Sequence, residues 1–435
     1  MRLTMGEERV VCRGMRYEEN PWGAYQFPHP YKVGDKFVVS VHNSHDDIKH
    51  FTEDALLWYE SSDNGVTWTK TDSSVIKNDR GLLLENGDRI FFPVKGGIDV
   101  SDYEIPIPEM KTPGTDMKSK AEEGTFPIQD GITWNLIGTF IRGYLADRLP
   151  DSLSAKEWDV VRIPAGETEP VYEKALLDWP YLTRVLYYCE GHMEPTLRPL
   201  FPHGRPRIGP DGAIWVSTYS GDCHIDPSTE QFSPYYSAQI FRSEDNGKTF
   251  KLWSNMEYEA DGKKYPYLNG GFSDSDFEFM PDGSIVWFLR SAWFGYTGNE
   301  VDPMYFVRSE DNGKTWTKPE VFASTGIYPR LCKLNCGTTL LVYARPGVFV
   351  TASEDESGTK WCEPLEVMTP DDRSHLSNLK IEKPRFHDWD GACNNPTLIA
   401  LDDNSALLFY SDFYYPDEFG VKRKTILCRK ITVVE

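Results

Sequence analysis

A chain of 435 residues with 67 acidic against 46 basic side chains, a formal net charge of −21, is poorly suited to bind nucleic acid or an anionic membrane. No stretch approaches eighteen consecutive apolar residues, so no membrane-spanning helix is expected. Aromatic residues at 14%, with 30 prolines and 34 glycines, suit many short strands joined by tight turns. Eight cysteines in so long a chain do not make a disulfide framework, and reduced thiols are expected. Cys332 and Cys336 are expected on one strand, too far apart to bridge. Met1 to Glu8 has no apolar signal core, which predicts a cytoplasmic protein, or a secreted one given without its leader.

In chain order, Arg9-Val10-Val11-Cys12 is the first strand-like run. Six hairpins follow, each expected as strand, two-residue turn, strand. Phe37-Val38-Val39 follows Val33-Gly34-Asp35, and Ile90-Phe91-Phe92 follows Asn86-Gly87-Asp88. Trp134 to Tyr144 and Trp158 to Ile163 are expected to extend that second unit. Ile214-Trp215-Val216 follows Asp211-Gly212, and Ile285 to Phe288 follows Asp282-Gly283. Leu340-Leu341-Val342 follows Cys336-Gly337, and Leu407-Leu408-Phe409 follows Asp403-Asn404. The last strand, Lys424 to Val433, leaves its unit one strand short, and Arg9 to Cys12 is expected to fill the gap. Val171 to Tyr188 leaves open a seventh, degenerate unit.

One phrase punctuates these units. It reads Ser61-Ser62-Asp63-Asn64-Gly65-Val66-Thr67-Trp68, then Ser243 to Phe250 and Ser309 to Trp316, with a worn copy at Ser353 to Trp361. Physically it is a hairpin turn: Asp and Asn fold back onto nearby amides, Gly takes a positive φ, and the aromatic ring packs beneath. Repetition of the whole frame makes it an internal repeat. The phrase resembles the Asp-box of the sialidase superfamily. That resemblance implies an all-β fold, a β-propeller, and the hairpin count gives it six blades closed by the N-terminal strand. Residues 1–435 then form one domain. Four long stretches, 95–133, 165–201, 220–236 and 369–392, connect second strands to third or blade to blade, which places them on one face.

The start of each innermost strand and the end of each second strand should surround a central depression on that face. The starts hold Gln26, Arg80, His203, Arg205, Asp274, Asp276, Arg330 and Asn395, and the ends hold His42, Lys95, Tyr219, Arg290, Arg345 and Asp412. All nine histidines also fall in or beside these segments. Gly271 to Asp274 with Met280 to Arg290 is similar to the sialidase strand pair carrying a buried Glu and an Arg, so Asp274 takes the Glu position and Arg290 the Arg. Tyr343-Ala344-Arg345-Pro346-Gly347 is similar to the segment bearing the last arginine of the family's carboxylate-binding triad. The resemblance further puts the acid/base Asp at Asp46 or Asp47. Two positions depart from the family. Gln26 stands where the first arginine is expected, and Asn395 where the tyrosine nucleophile is expected. A tyrosine would have to enter from Tyr410, Tyr414 or Tyr415.

Three functions remain open on these residues. One is a glycoside hydrolase acting on a terminal acidic or polar sugar of a glycan. Asp274 with Asp46 or Asp47 would be its carboxylate pair, and Arg205, Arg290, Arg330 and Arg345 would hold the substrate. Gln26, Tyr219, Asn395 and His42 would complete the binding surface. A second is a lyase or glycosidase on a uronate-containing glycan, with His42, His203 or Tyr219 taking a proton. The third is a carbohydrate-binding propeller without catalysis. No cofactor is expected. His42, His45 and His50 with Asp46 and Asp47 match no standard metal spacing, so no metal is expected either.

Overall fold

The computed structural model describes residues 1–16, 19, 23–45, 50–76, 80–105, 126–127, 132–136, 139–179 and 181–189. It further describes 193–198, 200, 202–219, 224–226, 231–233, 236–257, 271–292, 303–324, 326–344, 347–368 and 395–434. The fold is all-β. Three antiparallel sheets have four strands each, in sequence order. The first holds Gln26–Val33, Lys36–His42, Leu56–Ser61 and Thr69–Thr71. The others run from Gly271–Phe279 to Glu320–Ala323 and from Ile327–Lys333 to Leu365–Met368. Between the first and these lies an eight-stranded sheet made of two antiparallel quartets. Its seam is the parallel pairing of Leu176, Leu177 and Asp178 with Thr249, Phe250 and Lys251.

The last sheet contains Thr397–Ala400, Ser405–Pro416 and Lys422–Val434. The N-terminal strand Arg9–Arg16 pairs with Lys422–Val434, Val10 facing Leu427, and Arg2–Met5 pairs further along the same strand. Glu8 fastens this junction by accepting hydrogen bonds from the Tyr410 hydroxyl at 2.6 Å and from Arg429 at 2.9 Å. Deleting residues 1–13 should therefore lower the melting temperature of the whole protein in one cooperative step. Calorimetry would show this, and a truncated chain that melts like the full one would deny the strand a closing role.

Each sheet shares its core with the next. Trp158 and Leu177 pack with Ile214 and Phe241, and Trp215 packs with Phe277 and Trp287. Val286 and Phe288 pack with Leu331 and Leu341, while Leu340 and Val342 pack with Leu398 and Leu408. Leu407 and Phe409 then pack with Phe37, Val39 and Val41 of the first sheet. The first sheet meets the eight-stranded sheet through Arg80, whose guanidinium donates twice to Glu53 at 2.8 Å and lies 4.2 Å from the Phe91 ring centre. Neighbouring strand residues such as Leu340 and Leu341 thus serve opposite neighbours, which is why these strands are apolar on both faces.

The repeated turn works as a clamp. Asp63 accepts from the amides of Val66 and Thr67 and from the Thr67 hydroxyl, while the Gly65 amide donates to Ser61 Oγ. The copies at Asp245, Asp311 and Asp355 bind their turns in the same way. Asn does not fold back as expected: Asn64, Asn246 and Asn312 themselves adopt φ near +60°, and the glycines after them are also at positive φ, 73–84°. The tight packing of the turn explains the glycine. A Cβ on Gly358 would stand 2.7 Å from Val286 of the preceding sheet, and one on Gly65 would stand 3.0 Å from Leu407 of the last sheet.

Several expectations are corrected. Trp134 to Tyr144 does not extend the second unit. It lies in a separate five-stranded sheet with Thr183–Cys189, Met193–Leu197 and Ile98–Asp99, and Val171–Asp178 takes the outer position beside Glu157–Ile163. The long connections therefore pair with one another; Phe126–Pro127 likewise pairs with Gln231–Ser233. Two-residue turns hold only for the first hairpin, where Val33 faces Lys36. At residues 84–88, 209–213, 280–284 and 334–338 the loop is longer, with Gly87, Gly212, Gly283 and Gly337 at positive φ. Cys336 lies in such a turn and is exposed, not on the strand with Cys332. Cys12, Cys332, Cys336, Cys362 and Cys428 are free thiols. Residues 369–392 lie outside the described residues.

Candidate active site

Three innermost strands break register at the same end, between Gln26 and His29, Phe272 and Ser275, and Ile327 and Arg330. Such bulges bend a strand and re-aim its side chains. Tyr25, Phe27 and Tyr328 there adopt positive φ of 56°, 49° and 53°. For aromatic residues this backbone costs about 1–3 kcal/mol each, so the surroundings must hold them in place. Phe27 in turn contacts Tyr328, Phe51 and His42, with ring centres 5.9, 5.4 and 6.1 Å apart.

Asp274 is the charged centre of this end. Its carboxylate accepts a hydrogen bond from Arg290 at 2.6 Å. Burial alone would raise its pKa, but Arg290 and then Arg330 overcome that and hold it below the usual carboxylate range. Asp274 is therefore ionised at neutral pH. Arg330 is buried, stacks 3.8 Å from the Tyr328 ring centre and donates to the Pro329 carbonyl at 2.8 Å. His203 shares a hydrogen bond with Thr218 Oγ1 at 3.2 Å and stacks on Tyr219 at 4.2 Å between centres. Burial first, then Arg198 and Arg330, push its imidazole down to about 3 against the opposing pull of Asp274. It is neutral at physiological pH, and a weak base.

One residue layer deeper, the charges are matched. Arg207 grips Asp276 with two donors at 2.6 and 3.1 Å and Glu278 with a third at 3.0 Å. Asp276 also accepts from the Leu331 amide at 2.8 Å. Arg205 spans to the last sheet, donating to the Leu398 carbonyl at 2.7 Å and to Thr397 Oγ1 at 2.5 Å. His29, exposed as a residue, lies near these arginines. The walls around it, then Arg205, Arg80 and Arg330, push it down to about 3.

Of the residues expected at the site, Asp274, Arg290, Arg330, His203 and Tyr219 come together. Gln26 and Asn395 meet each other, the Asn395 amide donating to Gln26 Oε1 at 3.3 Å, and both are buried. His42 is buried beside them, with Nδ1 3.1 Å from the Gly23 carbonyl and Nε2 3.0 Å from Ser44 Oγ. Arg205 lies beneath, its donors committed to the last sheet. Asp46, Asp47 and Arg345 lie outside the described residues. Tyr410 is in the core, held by Glu8, with its hydroxyl pKa raised by burial and that carboxylate. Such a phenol is a poor nucleophile. Sequence reasoning missed Arg198, which lies 4.9 Å from the Tyr219 ring centre, and the Phe27–Phe51 wall. No motif or periodicity marks either. Among the described residues, no group of three or more His, Cys, Asp or Glu side chains is placed to hold a metal ion.

The chain matches no protein-family model and no curated protein. Among solved structures it is similar to a protein of unknown function from Dyadobacter fermentans, at 16% identity and TM-score 0.48, covering 99% of each chain. It is also similar to the NanB sialidase of Streptococcus pneumoniae, at 12% identity and TM-score 0.44, over 98% of this chain and 70% of that one. A Trypanosoma rangeli sialidase aligns at 11% identity and TM-score 0.38, over 98% of this chain and 59% of that one. Likeness at this level carries no weight for activity.

Proposed function

We propose that the chain is a single six-bladed β-propeller and a glycoside hydrolase acting on a terminal acidic or polar sugar of a glycan. Cores shared from each sheet to the next, and from the last back to the first, support the ring. The two quartets of the eight-stranded sheet count as separate blades. The observation that carries the chemistry is Asp274, an ionised carboxylate at the rim between Arg290 and Arg330. An ionised carboxylate can attack the anomeric carbon or activate water, and a protonated partner, Asp46 or Asp47, would donate to the leaving oxygen. Arg290, Arg330 and Arg345 would hold the sugar, with Tyr219 as a neutral contact, while the buried Gln26–Asn395 pair would support the floor beneath. Arg205 would support this layer from below.

Without a tyrosine on the last innermost strand, inversion by an activated water is the favoured outcome. A lyase based on His203 is disfavoured, because an imidazole pushed down to about 3 would be a poor proton acceptor at neutral pH. A screen of aryl glycosides and natural glycans, with products identified by NMR, tests the reading. Turnover of an acidic or polar terminal sugar supports it. Binding without any turnover would favour a carbohydrate-binding propeller. Arg290→Lys should lower kcat/KM at least about tenfold with little change in melting, because one point charge cannot reproduce the guanidinium fork. Unchanged kinetics would remove Arg290 from the site.

A further inference from the structure

A cavity of about 50 Å³ opens beside His203 and Tyr219, between the two quartets of the eight-stranded sheet. Its floor is apolar, formed by Trp158, Leu177, Leu182 and Phe241, and its polar wall includes Arg184, Arg198, Trp179 and Gln239. Arg184 is 5% exposed and reaches only carbonyl oxygens, those of Leu153 at 3.0 Å, Ala155 at 3.4 Å and Arg198 at 3.3 Å. No described carboxylate pairs with it. Its Nε and the Trp179 indole Nε1 are buried donors without a described partner. Burial lowers the guanidinium pKa to about 10, still charged at neutral pH.

A buried guanidinium without a counter-ion is costly, and buried donors normally have a hydrogen-bond partner. Two arginines at this end have acidic partners, Arg290 with Asp274 and Arg207 with Asp276 and Glu278, while Arg205 and Arg330, like Arg184, donate to carbonyl or hydroxyl oxygens. We infer that this cavity is a carboxylate-binding subsite. It takes the carboxylate of an acidic sugar, with the carbon that bears it against the aromatic and leucine floor. The volume suits a group of a few non-hydrogen atoms, too small for a whole sugar ring. The subsite shares His203 and Tyr219 with the candidate active site, so it deepens the glycosidase reading by naming what selects the substrate. Recognition of the acid would then lie with Arg184 and Arg198, not with the already matched Arg290.

The test is calorimetric titration of the full chain with glucuronate, N-acetylneuraminate, acetate and neutral methyl glucoside. At least one sugar acid should bind at least about tenfold tighter than the neutral sugar, the scale of one charge-assisted hydrogen bond. Arg184→Gln should erase that preference. Should that variant fail to fold, Gln239→Glu decides: a carboxylate built into the wall pairs with the charge and competes with the ligand, so the preference again disappears. Equal binding of acid and neutral sugars, or a preference surviving in either folded variant, would overturn the subsite. Acetate binding without any sugar acid would overturn the sugar as its source. Binding is read here without turnover, so an inactive protein that still prefers sugar acids would sink the hydrolase reading alone.

Discussion

Replacing Asp274 with Asn should abolish turnover, by about 10²–10⁴-fold in kcat, while the protein remains folded. The substitution keeps the shape and one acceptor for Arg290, which sits 2.6 Å away. What it removes is the negative charge that, in the proposed mechanism, would attack carbon or take a proton from water. The pH profile gives a second reading. Arg290 and then Arg330 outweigh burial and hold the folded carboxyl low, so its acid limb should lie below the range of an ordinary carboxylate. A protonated Asp46 or Asp47 would add the opposite limb and make the profile bell-shaped. Full activity in Asp274→Asn would transfer the chemistry to other residues.

The largest loss of stability is expected one layer deeper, at Asp276→Asn. Asp276 is fully buried, gripped by two Arg207 donors and by the Leu331 amide. It therefore joins strands of three sheets. Removing one partner of a buried pair costs about 3–5 kcal/mol when the other charge is stranded, and Glu278, still paired with Arg207, puts this loss at the low end, about 3 kcal/mol. The sign with pH follows from the shift. Burial raises the Asp276 carboxyl, but Arg207, Arg330 and the Leu331 amide lower it further, so its folded pKa lies below the unfolded one. The stabilisation is complete above the unfolded value, about 3.9, and disappears as pH falls through the folded one. Denaturant melts at pH 7 and pH 3 should show the gap between wild type and Asp276→Asn narrowing in acid. A variant as stable as wild type at pH 7 would deny the pair its role.

Much of the fold was legible because its signals are local. The repeated turn holds itself together through Asp63 and its counterparts, and the hairpins follow glycines, so eight or ten residues reveal each one. The inserted sheets were not legible. Ile98–Asp99 and Phe126–Pro127 are two-residue strands whose partners lie about a hundred residues away, and so short a strand has no periodicity. At the site, residue type was readable and partner was not. Arg205 and Arg290 look alike in sequence, yet Arg205 spends its donors on Thr397 and Leu398 of the last sheet while Arg290 pairs with Asp274. The bulges that bring Tyr328 and Asp274 to that rim have no sequence mark beyond an ordinary strand start.

The most direct measurement is proton NMR of wild-type protein turning over its best glycoside, with the first-formed anomer read before mutarotation. The expected result is release of a single anomer of inverted configuration, with no such signal from Asp274→Asn. A retained anomer with a covalent adduct on a tyrosine, or an unsaturated product formed without water, would contradict a carboxylate-driven hydrolase.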